Sequence, residues 1–138
     1  MKDIADLIGR IFIAFMFLYE AVDSIVFFND TKDTLTAYNI TWYQDIILVV
    51  VIGFLILGAT LVLLGYYANV GAFFLLIYWL GFTFTVYSFW NDPVELRRVH
   101  VLFFMRNLAL CGGLIILMVN GSGKYSVRRL LHVMKLPK

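Results

Sequence analysis

Three charged side chains sit inside long apolar stretches: Glu20 and Asp23 in the first, Arg106 in the last. Ionisable groups in hydrocarbon are costly, and they pair, face a bundle interior or serve a functional site. Glu20 and Asp23 are three residues apart, hence neighbours on one helical face. Arg106 can neutralise one of them, which leaves the other to exchange protons beside a quinone or in a polar substrate pocket. Tyr19 and Asn107 adjoin the charged pair in sequence, and His100 lies near the start of the last stretch. These six residues form the expected intramembrane polar cluster. The structural alternative is an ion pair between Glu20 and Arg106 that merely joins two helices and fixes their register.

No complete catalytic motif accompanies the cluster, so catalytic residues stay unassigned and the chain is not expected to be an enzyme on its own. Cys111 is the sole cysteine, which excludes an internal disulfide and a CxxC redox pair. His100 with Asp23 and Glu20 could ligate a metal, but their spacing does not demand one, and no metal site is assigned. Arg10 has Asp6 one turn away near a membrane edge and reads as an anchor that snorkels to headgroups.

The elements that must carry these residues are membrane spans. The chain has 138 residues, 62% hydrophobic and 14% charged, far too apolar for an ordinary soluble domain. Ile46–Leu64 and Val70–Trp90 contain no charge, and each matches the roughly 20 residues that cross a hydrocarbon core. Val99–Val119 carries only Arg106, whereas Ile4–Phe28 carries Asp6, Arg10, Glu20 and Asp23. The expected fold is all-α: a four-helix transmembrane bundle with spans at 4–28, 46–64, 70–90 and 99–119. At 1.5 Å per residue, Glu20 and Arg106 then fall at about the same depth, some 10–12 Å below one boundary.

The connections are short and leave a single domain over 1–138. Asn29–Asp45 reads as a polar loop rich in threonine, Gly65–Asn69 as a tight turn, and Asp92-Pro93 as a helix stop. After Gly121-Ser122-Gly123, apolar Val127, Leu130, Leu131 and Met134 recur at helical spacing opposite Arg128, Arg129, His132 and Lys135. An amphipathic helix over 126–136, capped by Ser126, is expected to lie on anionic headgroups. Four crossings put both termini on one side, the side richer in Lys and Arg. The positive-inside rule makes that side cytoplasmic, in a bacterial inner membrane.

The last span and its exit read Phe103-Phe104-Met105-Arg106-Asn107-Leu108-Ala109-Leu110-Cys111-Gly112-Gly113 and then Gly121-Ser122-Gly123-Lys124-Tyr125-Ser126. This resembles the DoxX family of small four-helix membrane proteins, whose last helix carries a basic-Asn-Leu-Ala-Leu-x-Gly-Gly run and a Gly-x-Gly-x-x-Ser exit. Arg10, Ala14, Phe17 and Ala21 are similar to that family's first-helix pattern, and Ser88–Pro93 to its third-span exit. The resemblance implies an accessory subunit of a quinone-linked oxidoreductase or related envelope complex, with a quinone as the one cofactor to consider. Thiosulfate:quinone oxidoreductase has such a subunit. Here Ala21, Asp23 and Ser24 stand where the family often has Gly and Lys, an acidic change that argues against an anionic substrate such as thiosulfate. The alternatives are a non-catalytic structural or assembly subunit and, less favoured, a small-solute or proton transporter. Expected partners are the lipid bilayer and other membrane subunits or further copies of the chain, with no nucleic acid.

Overall fold

In the computed structural model, which describes residues 1–134, the described residues form helices and their connections, with no strand among them. The helices are α1 (Lys2–Val26), α2 (Phe28–Ala37), α3 (Gln44–Leu64), α4 (Ala68–Val86), α5 (Val94–Asn120) and α6 (Val127–Met134), with a 3₁₀ turn at Phe89–Asn91. Three helices are long and apolar enough to cross a membrane: α3, α5, and α4 taken together with the turn that follows it. A fourth crossing exists if α1 and α2, bent by 92° at Phe27, count as one span. This is a multi-pass membrane protein. Its outward surface agrees, because Phe12, Phe15, Val49, Leu57, Ile77 and Ile116 are all exposed on helix faces where only lipid or another subunit can cover them.

The long helices pack in chain order, α1 on α3, α3 on α4 and α4 on α5, while α1 and α5 touch sparingly. Small residues set the close approaches. A Cβ at Gly71 would lie 2.7 Å from the Gly58 carbonyl oxygen, so α3 and α4 meet nearly backbone to backbone. Phe17 of α1 reaches past them to Trp79 of α4, ring edge to face at 5.2 Å. Around that contact lie Ala14, Ala21, Leu55, Ala59, Leu75 and Leu114, all buried.

Boundaries differ from expectation in instructive places. The segment after the first span is the helix α2, where a loop is expected from its threonines. Those hydroxyls bond back along the helix instead: Thr31 to the Phe27 carbonyl, Thr34 to Asp30 and Thr36 to Lys32, at 2.9–3.1 Å. Asp92-Pro93 separates two helices as expected, but α5 begins directly after it at Val94 and not at 99, since Pro93 sits just before the helix with its missing N–H harmless. The Gly65 turn does form, with Gly65 at φ +67° and Tyr67 at φ +51°. Ser126 caps α6 through Arg129 N–H, at 3.4 Å. The end of the expected 126–136 helix, including Lys135, lies outside the described residues.

Candidate functional site

The seam between α1 and α5 is where the sequence placed the polar cluster. The two helices run antiparallel and come together where a Cβ on Gly113 would lie 3.8 Å from Ile13 Cδ1. Seven residues on from Ile13 is Glu20, and seven residues back from Gly113 is Arg106. Both lie about 10 Å from that contact in the same direction, so they are level. They are not joined. The ion pairs among the described residues are Arg10–Asp6, Lys32–Asp45, His100–Asp92 and Lys124–Asp3, and none includes Glu20, Asp23 or Arg106. The expected Glu20–Arg106 pair is therefore corrected. The reason is packing, because α5 lies along α4 and leaves α1 at a distance. Arg106 stays exposed, its guanidinium 5.6 Å from the Phe103 ring centroid, a cation–π contact.

Other members of the cluster separate in the same way. Asp23 and Glu20 are half-buried on one side of α1, whereas Tyr19 is 65% exposed and points away. His100 turns to the loop that precedes it, with Nδ1 2.6 Å from Asp92 Oδ2 and its ring edge-on to Tyr87. α4 carries Tyr78 along its length and is capped by Tyr87. Those tyrosines belong to a run of rings: Tyr78 and Trp79 both stack on Phe82, Phe82 meets Tyr87, and Tyr87 stacks on Phe103 at 5.3 Å.

Three buried polar atoms near this seam have no hydrogen-bond partner among the described residues: Trp79 Nε1, Thr83 Oγ1 and Asn107 Nδ2. Trp79 and Thr83 are one turn apart on α4, and Asn107 follows Arg106 on α5. Each can donate a hydrogen bond, and a buried donor without an acceptor costs stability unless water or a ligand supplies one. Asn107 was legible in the sequence. Trp79 and Thr83 were hidden among the aromatics of an uncharged span.

At the opposite end of the helices, Arg10 overturns its reading as a snorkelling anchor. It is 1% exposed. Its Nε donates to Asp6 Oδ2 at 3.1 Å, Nη1 to the Val62 carbonyl at 3.4 Å and Nη2 to the Tyr125 carbonyl. Asp6 Oδ2 also accepts the Gly123 N–H at 3.1 Å. One guanidinium thus ties α1 to the end of α3 and to the strap that leaves α5. The fixed fork of Arg suits three acceptors in different directions, which a lysine ammonium could not hold as well.

Comparison with known proteins fits this architecture. The DoxX family profile matches residues 5–88, well over half of the chain. The chain belongs to the DoxX family. It is also 29% identical over 133 residues to "Inner membrane protein YqjF" of Escherichia coli (strain K12), covering 96% of this chain and 95% of that protein. No solved structure matches it. The profile takes in α1, α3 and α4, including Arg10, Glu20, Asp23, Trp79 and Thr83. Arg106 and Asn107, in the motif that first suggested the family, lie beyond the matched residues.

Proposed function

We propose that this DoxX protein is an accessory membrane subunit of a quinone-linked oxidoreductase or related envelope complex in a bacterial inner membrane. The quinone would be met in the α1–α5 seam. The observation that carries the reading is the set of orphaned donors, Trp79 Nε1, Thr83 Oγ1 and Asn107 Nδ2, beside a run of stacked rings. A quinone head offers two carbonyl acceptors on a flat ring, so unpartnered donors and aromatic faces are the groups it needs. Glu20 and Arg106, level on opposing helices, add an acid to exchange protons and a cation to stabilise a reduced, anionic head. The chain supplies no electron carrier of its own, and that part falls to a partner subunit. α1 would be the fourth crossing, which places both termini in the cytoplasm by the excess of Lys and Arg on their side.

The test is a titration with a short-chain quinone, read by tryptophan fluorescence, on the isolated protein and on its native complex. Saturable binding that Asn107→Leu abolishes is the expected result. No saturable binding in either preparation sinks the quinone reading.

A second reading, a structural or assembly subunit, has its own support. Arg106 is exposed on a helix face inside the membrane, and Gly53, Gly81 and Gly112 each have open space where a side chain would stand. Such bare patches suit contact with a neighbouring helix. Unchanged function in a Glu20→Gln/Arg106→Gln double variant, together with a stoichiometric partner that carries no redox centre, would favour it.

A further inference from the structure

The end of the molecule that carries the start of α1 and the α6 strap holds two grooves, one on either side of that strap. The larger, about 1010 Å³, runs between α6, the start of α1 and the α3–α4 turn. Its walls carry Lys2, Lys124, Arg128, Arg129 and His132 against the acids Asp3 and Asp6. Both acids are engaged already: Asp6 by Arg10 and the Gly123 N–H, and Asp3 by Lys124 at 3.4 Å. No ion pair among the described residues takes in Lys2, Arg128 or Arg129. Arg128 lies over the Tyr67 ring at 5.7 Å, which holds its guanidinium at the groove without neutralising it. The groove therefore presents surplus positive charge.

The second groove, about 540 Å³, is apolar on its far wall, where Leu63 and Leu64 at the end of α3 face Leu130 and Val133 of α6. Lys124, Ser126 and Arg129 line both grooves. A basic cleft and an apolar trough thus adjoin at these three residues. A free anion would need only the first part, and a peptide or acyl chain without charge only the second. The two together match an amphiphile with an anionic head and a hydrocarbon tail.

We infer that these adjoining grooves form a binding site for one anionic phospholipid, which straddles the residues between them. Its phosphodiester sits among Lys124, Arg128 and Arg129, and one acyl chain lies along Leu63, Leu64, Leu130 and Val133. The placement goes beyond α6 resting on a charged surface, because it names a single lipid held between the strap and the end of α3. The site is independent of the α1–α5 seam and stands or falls without the quinone reading.

The experiment is native mass spectrometry of the full chain released from nanodiscs of phosphatidylcholine doped with phosphatidylglycerol. One phosphatidylglycerol per chain should be retained, in preference to phosphatidylcholine. An Arg128→Gln/Arg129→Gln double variant should bind it roughly thirtyfold more weakly, at about a factor of five for each cation near a phosphate. Both arginines are exposed, and an unchanged melting temperature in lipid-free detergent would confirm that the variant folds. Leu130→Ser should weaken retention without touching a charge. Equal retention of phosphatidylcholine overturns the site, as does a double variant that binds as well as the parent. Inorganic phosphate displacing the lipid at millimolar concentration, with Leu130→Ser silent, would make it a free-anion cleft and also overturn the proposal.

Discussion

Arg10 and Tyr125 are 115 residues apart in the chain, and the guanidinium of one donates to the backbone carbonyl of the other. With the Gly123 N–H on Asp6 and Lys124 on Asp3, that contact closes the described chain on itself, first helix to the strap beyond the last long one. It works because the strap is bare. Gly121 takes φ +67°, and a Cβ on Gly123 would stand 3.0 Å from Asp6 Oδ2, leaving no space for a side chain beside the carboxylate. Arginine, aspartate and the two glycines are therefore one device drawn from the two ends of the described sequence.

Arg10→Gln should destabilise the protein by roughly 3 kcal/mol or more, because it strands Asp6, takes the donor from the Tyr125 carbonyl and leaves the Val62 carbonyl with the Gly65 N–H alone. Arg10→Lys should recover only part of this, since an ammonium cannot span all three acceptors. Unfolding by a denaturing detergent, followed by circular dichroism, measures both. Parent-like stability in Arg10→Gln would return the residue to the role of a loose anchor.

Gly65→Ala should be costly, whereas Gly9→Ala should not. Gly65 has φ +67°, and an added Cβ would run into Arg10 Nη1 and sit 2.7 Å from Ser126 Cβ. The left-handed backbone alone costs about 1 kcal/mol or more for a non-glycine residue. Gly9 is helical with open space around it, so alanine there should be neutral or stabilise by up to about 1 kcal/mol. The same unfolding assay on the two variants compares the positions directly.

Much of this architecture was legible in the sequence, and its failures share a cause. The uncharged runs 46–64 and 70–90 announced α3 and α4, since hydrophobic length is a one-dimensional property that survives without knowledge of neighbours. Helical rise alone sets Glu20 and Arg106 at similar heights along their two helices. Whether they touch depends on how far α1 stands from α5, and that spacing is set by α4. Arg10 failed for the same reason. Its burial comes from the carbonyls of Val62 and Tyr125, neither of which has a side chain that marks it as a partner. The helix α2 was missed because threonine propensity predicts a loop, while hydroxyl bonds to the preceding turn are invisible to propensity.

Asn107→Leu and Thr83→Val should each raise the stability of the isolated protein, by about 1 kcal/mol. Both side chains bury a polar atom that no group in the described residues satisfies, and an apolar replacement of similar shape removes that penalty. If the seam takes up a quinone, the same changes should abolish the protection that added quinone gives against thermal unfolding. Stability and ligand protection thus move in opposite directions, a pattern that a merely structural hydrogen bond would not produce. Loss of stability in both variants would instead point to ordered water as the partner of these donors.

The orientation can be read by thiol labelling in intact cells, using the burial of the native cysteine as a silent background. Cys111 is 2% exposed, so a membrane-impermeant maleimide should leave the parent protein unlabelled. A cysteine at exposed Asp33, on α2, should label from outside the cytoplasmic membrane once the outer envelope is permeabilised. A cysteine at exposed Arg129, on α6, should label only after the cells are broken. That pattern requires an odd number of crossings between the two positions, as α3, α4 and α5 supply, and it puts the basic α6 strap in the cytoplasm as its charge predicts. A cysteine at exposed Lys2, at the start of α1, decides the fourth crossing: it should label only after the cells are broken. Labelling of the Lys2→Cys variant from outside, together with Asp33→Cys, would mean that α1 does not cross. The level placement of Glu20 and Arg106 would then describe a surface groove, and the seam would lose its claim to hold a membrane-soluble quinone.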